Sequence, residues 1–331
     1  MSDIDQSLEQ LLSEASPRPV PHSADMSAAR DAVRAEWQAV SGKHRSRRRM
    51  LRFAVAATVL IGVFSIFNQF RAPELNIIRV AAIQKSVGSI YVLGEQSELT
   101  LAGDLKAIHV GQTIVTGNDA TIALAWGRGG SLRLDNNTQV EFRDDDSVYL
   151  KSGRIYFDSM PSELSAGISG GGIAFFEIET DFGLVSHVGT QFMTQVEAGE
   201  LKVSVREGQV DVAGEFFDYR AESGEQVRFM GSQRPMVGNF PEYGPAWDWI
   251  GISSPSINLS GKSVYEFLEW AGRELGREIV FSTAAIEQEV KTVKLVGDIN
   301  TAPADALRLR MATTDIEWRF EEGAIYVGKR E

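Results

Sequence analysis

Cysteine is absent from this chain, and histidine occurs only four times in 331 residues. The first absence excludes disulfides, cysteine-ligated zinc and thiol nucleophiles. The four histidines, at positions 22, 44, 109 and 187, are scattered and form no paired metal-ligand motif. Basic residues are outnumbered, 33 Lys and Arg against 45 Asp and Glu, for a net charge of -12. Phosphate backbones are held chiefly by neutralising Lys and Arg, so direct DNA binding is not expected. The glycine-rich "GISGGGIAFF" leads into a strand-like run rather than a helix, so it reads as a loop and not as a phosphate cradle. Asp144, Asp145 and Asp146 in "FRDDDSVYL" lack the alternating ligands and glycine of a calcium loop and read as a solvated hairpin turn. With no acid-base or metal constellation, neither substrate turnover nor a cofactor is expected.

Long apolar runs are also scarce, with one exception. No charge falls between Phe53 and Phe67. As a helix, the stretch from Met50 to Phe70 would be roughly 30 Å long, the hydrocarbon thickness of a bilayer. Six Lys or Arg crowd between Lys43 and Arg52, while only Arg71 follows closely. That asymmetry predicts a transmembrane helix over 50–71 with a cytoplasmic N-terminus and the remainder outside. Ile66 to Phe70 contain no small-residue cleavage site, so the helix reads as an uncleaved anchor.

The tail, residues 1–49, carries two apolar stripes at helical spacing. Ile4, Leu8, Leu11 and Leu12 form one, "SPRPVP" interrupts, and Met26, Ala29, Val33, Trp37 and Val40 form the second. Neither stripe can build a core alone, so a segment that orders on a partner is expected, with Met26, Val33, Trp37 and Val40 as its contacts. The alternative is a tail lying on the membrane surface or without fixed structure.

Residues 77–230 read as all-β. Short alternating runs such as "SIYVL", "ATIALAW", "SLRL", "SVYL", "RIYF", "FFEIET", "KVSV" and "QVDV" are punctuated by Gly, Asp and Asn. A phrase of glycine, any residue, β-branched residue, any residue, apolar residue recurs at Gly88, Gly153 and Gly208. Such an echo predicts layered β-structure, a solenoid or a sandwich. Residues 231–257, with four prolines, Trp247 and Trp249, read as a semi-rigid connector whose aromatics tuck into neighbouring domains. Residues 258–331 read as a small α+β domain. A helix buries Val264, Phe267, Leu268, Ala271 and Leu275 and stops at Gly276, followed by strands at "EIVF" and "TVKLVG", a helix opening near Pro303, and strands at "IEWRF" and "AIYVG".

Within the β region, "LVSHVGTQF" places Gly189 and Thr190 in the middle of an alternating run. A glycine there marks a bulge or a close backbone approach. The wider phrase is more specific. Thr180, Gly183, Val185, Gly189, Thr190, Phe192 and Val196, followed by Val203, Val205, Glu207, Gly208, Val210 and Val212, resemble the core motif of the FecR family over roughly residues 80 to 230. The last domain resembles the secretin and TonB short N-terminal domain, with Ala306 and Leu307 in its loose motif.

This resemblance implies a single-pass inner-membrane regulator of an extracytoplasmic-function sigma factor, with its C-terminal domains in the periplasm. The tail would hold the sigma factor, although it is shorter than in many members and carries Trp37 alone. The periplasmic part would receive a signal from the signalling domain of an outer-membrane TonB-dependent transporter, docking through the last domain. Proteolysis near residues 53–70 by an intramembrane or periplasmic protease would complete the relay. Some members are processed at the Gly-Thr of this motif, which implies attack of Thr190 Oγ1 on the Gly189 carbonyl; the neighbouring His187 reads as a helper for the proton transfer. A rival reading is a glycan-binding or envelope scaffold that uses the acidic β domain and the connector's aromatics.

Overall fold

The structure, a computed structural model, describes residues 22–36, 78–94, 98–103, 105–127, 129–159, 176–215, 217–230 and 234–330. They fall into two units, divided after Asn76. In the first, residues 23–36 form helix α1. The predicted span 50–71, together with Trp37 and Val40, lies outside the described residues. Among the described residues no helix is long and apolar enough to cross a membrane.

The second unit is mainly β, as the alternating runs predict. Among the described residues fifteen strands join in one sheet, whose central path runs through β15 (Met236–Asn239), β14 (Glu225–Phe229), β12 (Glu200–Ala213), β11 (Gly183–Glu197), β10 (Glu177–Thr180), β9 (Ser147–Asp158), β7 (Ser131–Leu134), β6 (Thr121–Trp126), β1 (Arg79–Val87) and β4 (Ala107–His109). The strand β9 (Ser147–Asp158) is its spine. Its first half pairs with β8 (Gln139–Phe142) and β10 (Glu177–Thr180), its second half with β7 (Ser131–Leu134) and β11 (Gly183–Glu197). The sequence runs "SVYL" and "RIYF" are thus one strand, bent where a Cβ on Gly153 would meet Thr138 Cα at 2.4 Å. "KVSV" and "QVDV" are likewise one strand, β12 (Glu200–Ala213). The echoed glycines Gly88, Gly153 and Gly208 share positive φ angles of 74°, 93° and 82°, so the repeated phrase marks a recurrent backbone bend that favours glycine.

Alternation places Leu132, Leu134, Phe157 and Phe192 in one apolar core. The opposite face of the same strands is also covered. Tyr156 and Met193 pack against Trp247, Trp249 and Ile250 of the connector. The connector is therefore more than an extended linker: it adds the edge strand β15 (Met236–Asn239), a 3-10 turn (Pro245–Trp247) and the short helix α2 (Asp248–Ile252).

The last region has its own core. Helix α3 (Val264–Leu275) begins with a capping box in which the Ser263 and Glu266 side chains exchange bonds with each other's backbone N–H. It stops at Gly276, with φ of 63°. The strand expected at "TVKLVG" is not formed. Helix α4 (Ala284–Thr292) occupies its start, capped by the Thr283 side chain and burying Ile286 and Val290 one turn apart, and Lys294 makes only an isolated bridge to Ser263. Helix α5 (Pro303–Met311) opens at the predicted proline. Strands β17 (Glu278–Phe281), β20 (Ala324–Lys329) and β19 (Ile316–Glu321) form the sheet behind the helices.

Candidate functional site

Gly189 and Thr190 sit in a bulge of β11. Val188 pairs with Gln209 and Gln191 with Glu207, so two residues of β11 face Gly208 alone. Gly189 takes the left-handed conformation, φ 61°, that such a bulge requires. Its carbonyl oxygen lies only 2.4 Å from where a Cβ on Gly208 would stand, so both glycines of the motif are explained by one close approach. Two residues later the register returns. Gln191 pairs with Glu207 and Phe192 with Val205, which makes Arg206 the extra residue on β12. The paired bulges reverse the facing of the strand, and Arg206 emerges on the face opposite the core.

Ser159 grips the bulge. The Thr190 N–H donates to Ser159 Oγ at 2.7 Å, and the Ser159 N–H donates to the Thr190 carbonyl at 3.0 Å. Thr190 is buried, and its Oγ1 has no hydrogen-bond partner among the described residues. His187 is buried too, its ring 5.1 Å from Phe157 and 5.7 Å from Phe192. The aspartates of "DDD" occupy the predicted turn, with the Asp146 N–H donating to Asp144 Oδ1 at 3.1 Å.

Beside the bulge lies a polar cluster that no local pattern announces. Arg133 makes a bidentate pair with Glu274 of α3, both bonds 2.7 Å, and also donates to the Ile250 carbonyl at 2.9 Å. The Ser254 hydroxyl donates to the same carboxylate at 2.8 Å. Burial pushes the Glu274 pKa upward, but the Arg133 guanidinium outweighs it and holds the carboxyl below its ordinary value. Arg206 donates to the carbonyls of Glu242 at 2.8 Å and Glu274 at 3.2 Å, and lies over the Trp247 ring at 4.3 Å. Burial lowers its pKa, opposed by Tyr156 and Glu274. Burial, then Asp158, pushes the Tyr156 hydroxyl well above its usual range. Arg273 of α3 donates to both oxygens of Asp158, at 3.0 and 2.5 Å, and to Glu207 at 2.9 Å.

In α1, Met26 and Val33 stand seven residues apart on one face, and both are exposed, at 43% and 68%. The helical period of the second stripe is therefore present over its described part, and its apolar face is uncovered. The other two predicted contacts, Trp37 and Val40, lie beyond that part.

A family model, FecR protein, matches residues 112–211, the segment that contains both bulges. No curated protein matches the chain. A candidate anti-sigma factor from Parabacteroides distasonis aligns at 19% identity over 66% of this chain and 99% of that one, with a TM-score of 0.33. A second structure under the same description aligns at 19% identity over 66% and 97%, with a TM-score of 0.32. A cell surface anchoring domain aligns at 22% identity over 20% and 88%, with a TM-score of 0.19.

Proposed function

We propose that this chain, which carries a FecR family domain over residues 112–211, is a signal-transducing regulator of a sigma factor. The observation that carries the reading is the match itself, which falls on the strands that build the Gly189-Thr190 bulge. In this reading the exposed face of α1, together with Trp37 and Val40 further along the tail, holds an extracytoplasmic-function sigma factor in the cytoplasm. The uncharged stretch from Phe53 to Phe67 crosses the inner membrane, and the second unit receives its signal from a TonB-dependent transporter in the periplasm. A single helix transmits little by itself, so cutting near residues 53–70 by a membrane or periplasmic protease completes the relay.

No substrate turnover belongs to this function, but one self-directed step does. Thr190 Oγ1 attacks the Gly189 carbonyl carbon. The C–O ester bond forms, the Gly189-Thr190 C–N bond breaks, and the hydroxyl proton passes to the released amine, after which water hydrolyses the ester. A buried hydroxyl without a hydrogen-bond partner among the described residues, next to a left-handed glycine, favours this attack.

The test is recovery of the tagged full-length chain from solubilised cells, read by mass spectrometry. A co-purifying sigma factor that is lost on Trp37→Ala supports the regulator. An envelope glycan without any sigma factor overturns it in favour of the scaffold. For the self-directed step, a second unit that stays intact for days, indistinguishable from Thr190→Ala, removes it.

A further inference from the structure

The residues that fix the Gly189-Thr190 bulge are the same residues that hold the last region against the β sheet. Asp158 closes β9 opposite Gln191, and Gln191 Nε2 donates to Asp158 Oδ2 at 3.3 Å. The next residue is Ser159, whose main chain and hydroxyl bond both backbone polar atoms of Thr190. The Asp158 carboxylate in turn takes two bonds from Arg273, in the last turn of α3. The opposite strand has a matching connection. Glu207, next to the Gly208 that lies under the Gly189 carbonyl, takes the third bond from Arg273. Arg206, the compensating bulge, donates to the Glu274 carbonyl in the same helical turn. One turn of one helix thus reaches both strands of the bulge by separate hydrogen-bonded routes.

We propose that the C-terminal turn of α3 is a clamp on the Gly189-Thr190 peptide, with Arg273 as a positioning residue. While α3 is docked, Asp158 and Glu207 are fixed, Ser159 holds the Thr190 amide, and the peptide keeps its bulged geometry. When α3 is displaced, these anchors lose their charged partner, and Ser159 no longer has a fixed base from which to grip Thr190. The last region therefore controls the peptide's freedom through the residues flanking it. This control does not depend on any bond being broken.

Hydrogen–deuterium exchange of the full chain, read by mass spectrometry, tests the clamp. Arg273→Ala is expected to speed exchange in peptides spanning 184–193 by about tenfold or more, as loss of charge-assisted hydrogen bonds implies. Exchange in peptides from 113–142 should be unchanged. Ser159→Ala, which removes the grip directly, supplies the reference rise. Should Arg273→Ala unfold the chain, Asp158→Asn decides from the other side of the pair: a rise confined to 184–193 supports the clamp. Unchanged exchange at 184–193 in the folded variant, beside a rise in Ser159→Ala, overturns it. The readout is opening and not scission, so its failure leaves the sigma-factor and self-cleavage readings where they stand.

Discussion

The Arg133 guanidinium and the Glu274 carboxylate, 141 positions apart in sequence, meet in a two-bond pair with both side chains buried. Desolvating two charges consumes most of their attraction, so such a pair contributes less to stability than its geometry suggests. Its loss by halves is another matter. Glu274→Leu strands the Arg133 charge in the interface and is expected to destabilise the second unit by about 3–5 kcal/mol, whereas Arg133→Met combined with Glu274→Leu should recover most of that loss. Urea denaturation of the three chains measures both steps, and a double variant no better than the single one would refute the assignment.

Glu274 also sets a direction for pH. Its folded pKa lies below its ordinary value of 4.5 because Arg133 overcomes the effect of burial. A depressed folded value means that the stabilisation is complete above about pH 4.5 and drains away as pH falls through the folded value. Glu266 follows the same rule, its carboxyl drawn down to about 2 chiefly by the Ser263 backbone N–H of the capping box. Denaturation midpoints taken from pH 7 down to pH 2 should therefore fall in the acid limb. Subtracting the Glu274→Gln curve isolates the interface contribution, and parallel wild-type and variant curves would show that the pair does not titrate with folding.

The two glycines of the bulge are predicted to differ in tolerance. A Cβ at Gly189 meets no atom within 4 Å, so Gly189→Ala incurs only the left-handed penalty, about 1–2 kcal/mol. A Cβ at Gly208 would stand 2.4 Å from the Gly189 carbonyl oxygen at φ 82°, and the backbone has to move. Backbone strain of about 1–3 kcal/mol is then joined by the clash, so Gly208→Ala should be clearly the worse of the two. Urea midpoints at constant m value rank them, and equal losses would mean that the strands separate there easily.

How far the sequence carried depended on whether the cause was local. The strand runs, the Gly276 stop, the Pro303 helix start and the glycine at the bulge all follow from backbone preferences over a few residues. Helix α4 escaped because its apolar contacts to the core are just Ile286 and Val290, in a segment otherwise polar enough to read as a loop. The polar cluster escaped for a deeper reason. In "SLRL" an arginine between two leucines reads as the wet face of a strand, and only burial beneath α2 and α3 makes Arg133 an interface residue. The extra residue at Arg206 is equally silent, because a bulge on β12 is defined by its partner strand and not by its own sequence.

The exposed face of α1 supports a functional prediction that can be separated from stability. Met26 and Val33 are solvent-facing on a helix outside the second unit, so charges placed there remove no core contact of that unit. Met26→Asp and Val33→Asp should leave its denaturation midpoint unchanged. If this face holds the sigma factor, each substitution puts an unpaired charge into an apolar contact and should lower retention on the tagged chain by about tenfold or more. Asp25→Ala, with no apolar group removed, is the control and should retain wild-type capture. Full retention in both apolar-to-Asp variants would place the sigma-factor contact elsewhere in the tail, because an apolar groove that accepts a charge at either of two successive contacts is not reading that face.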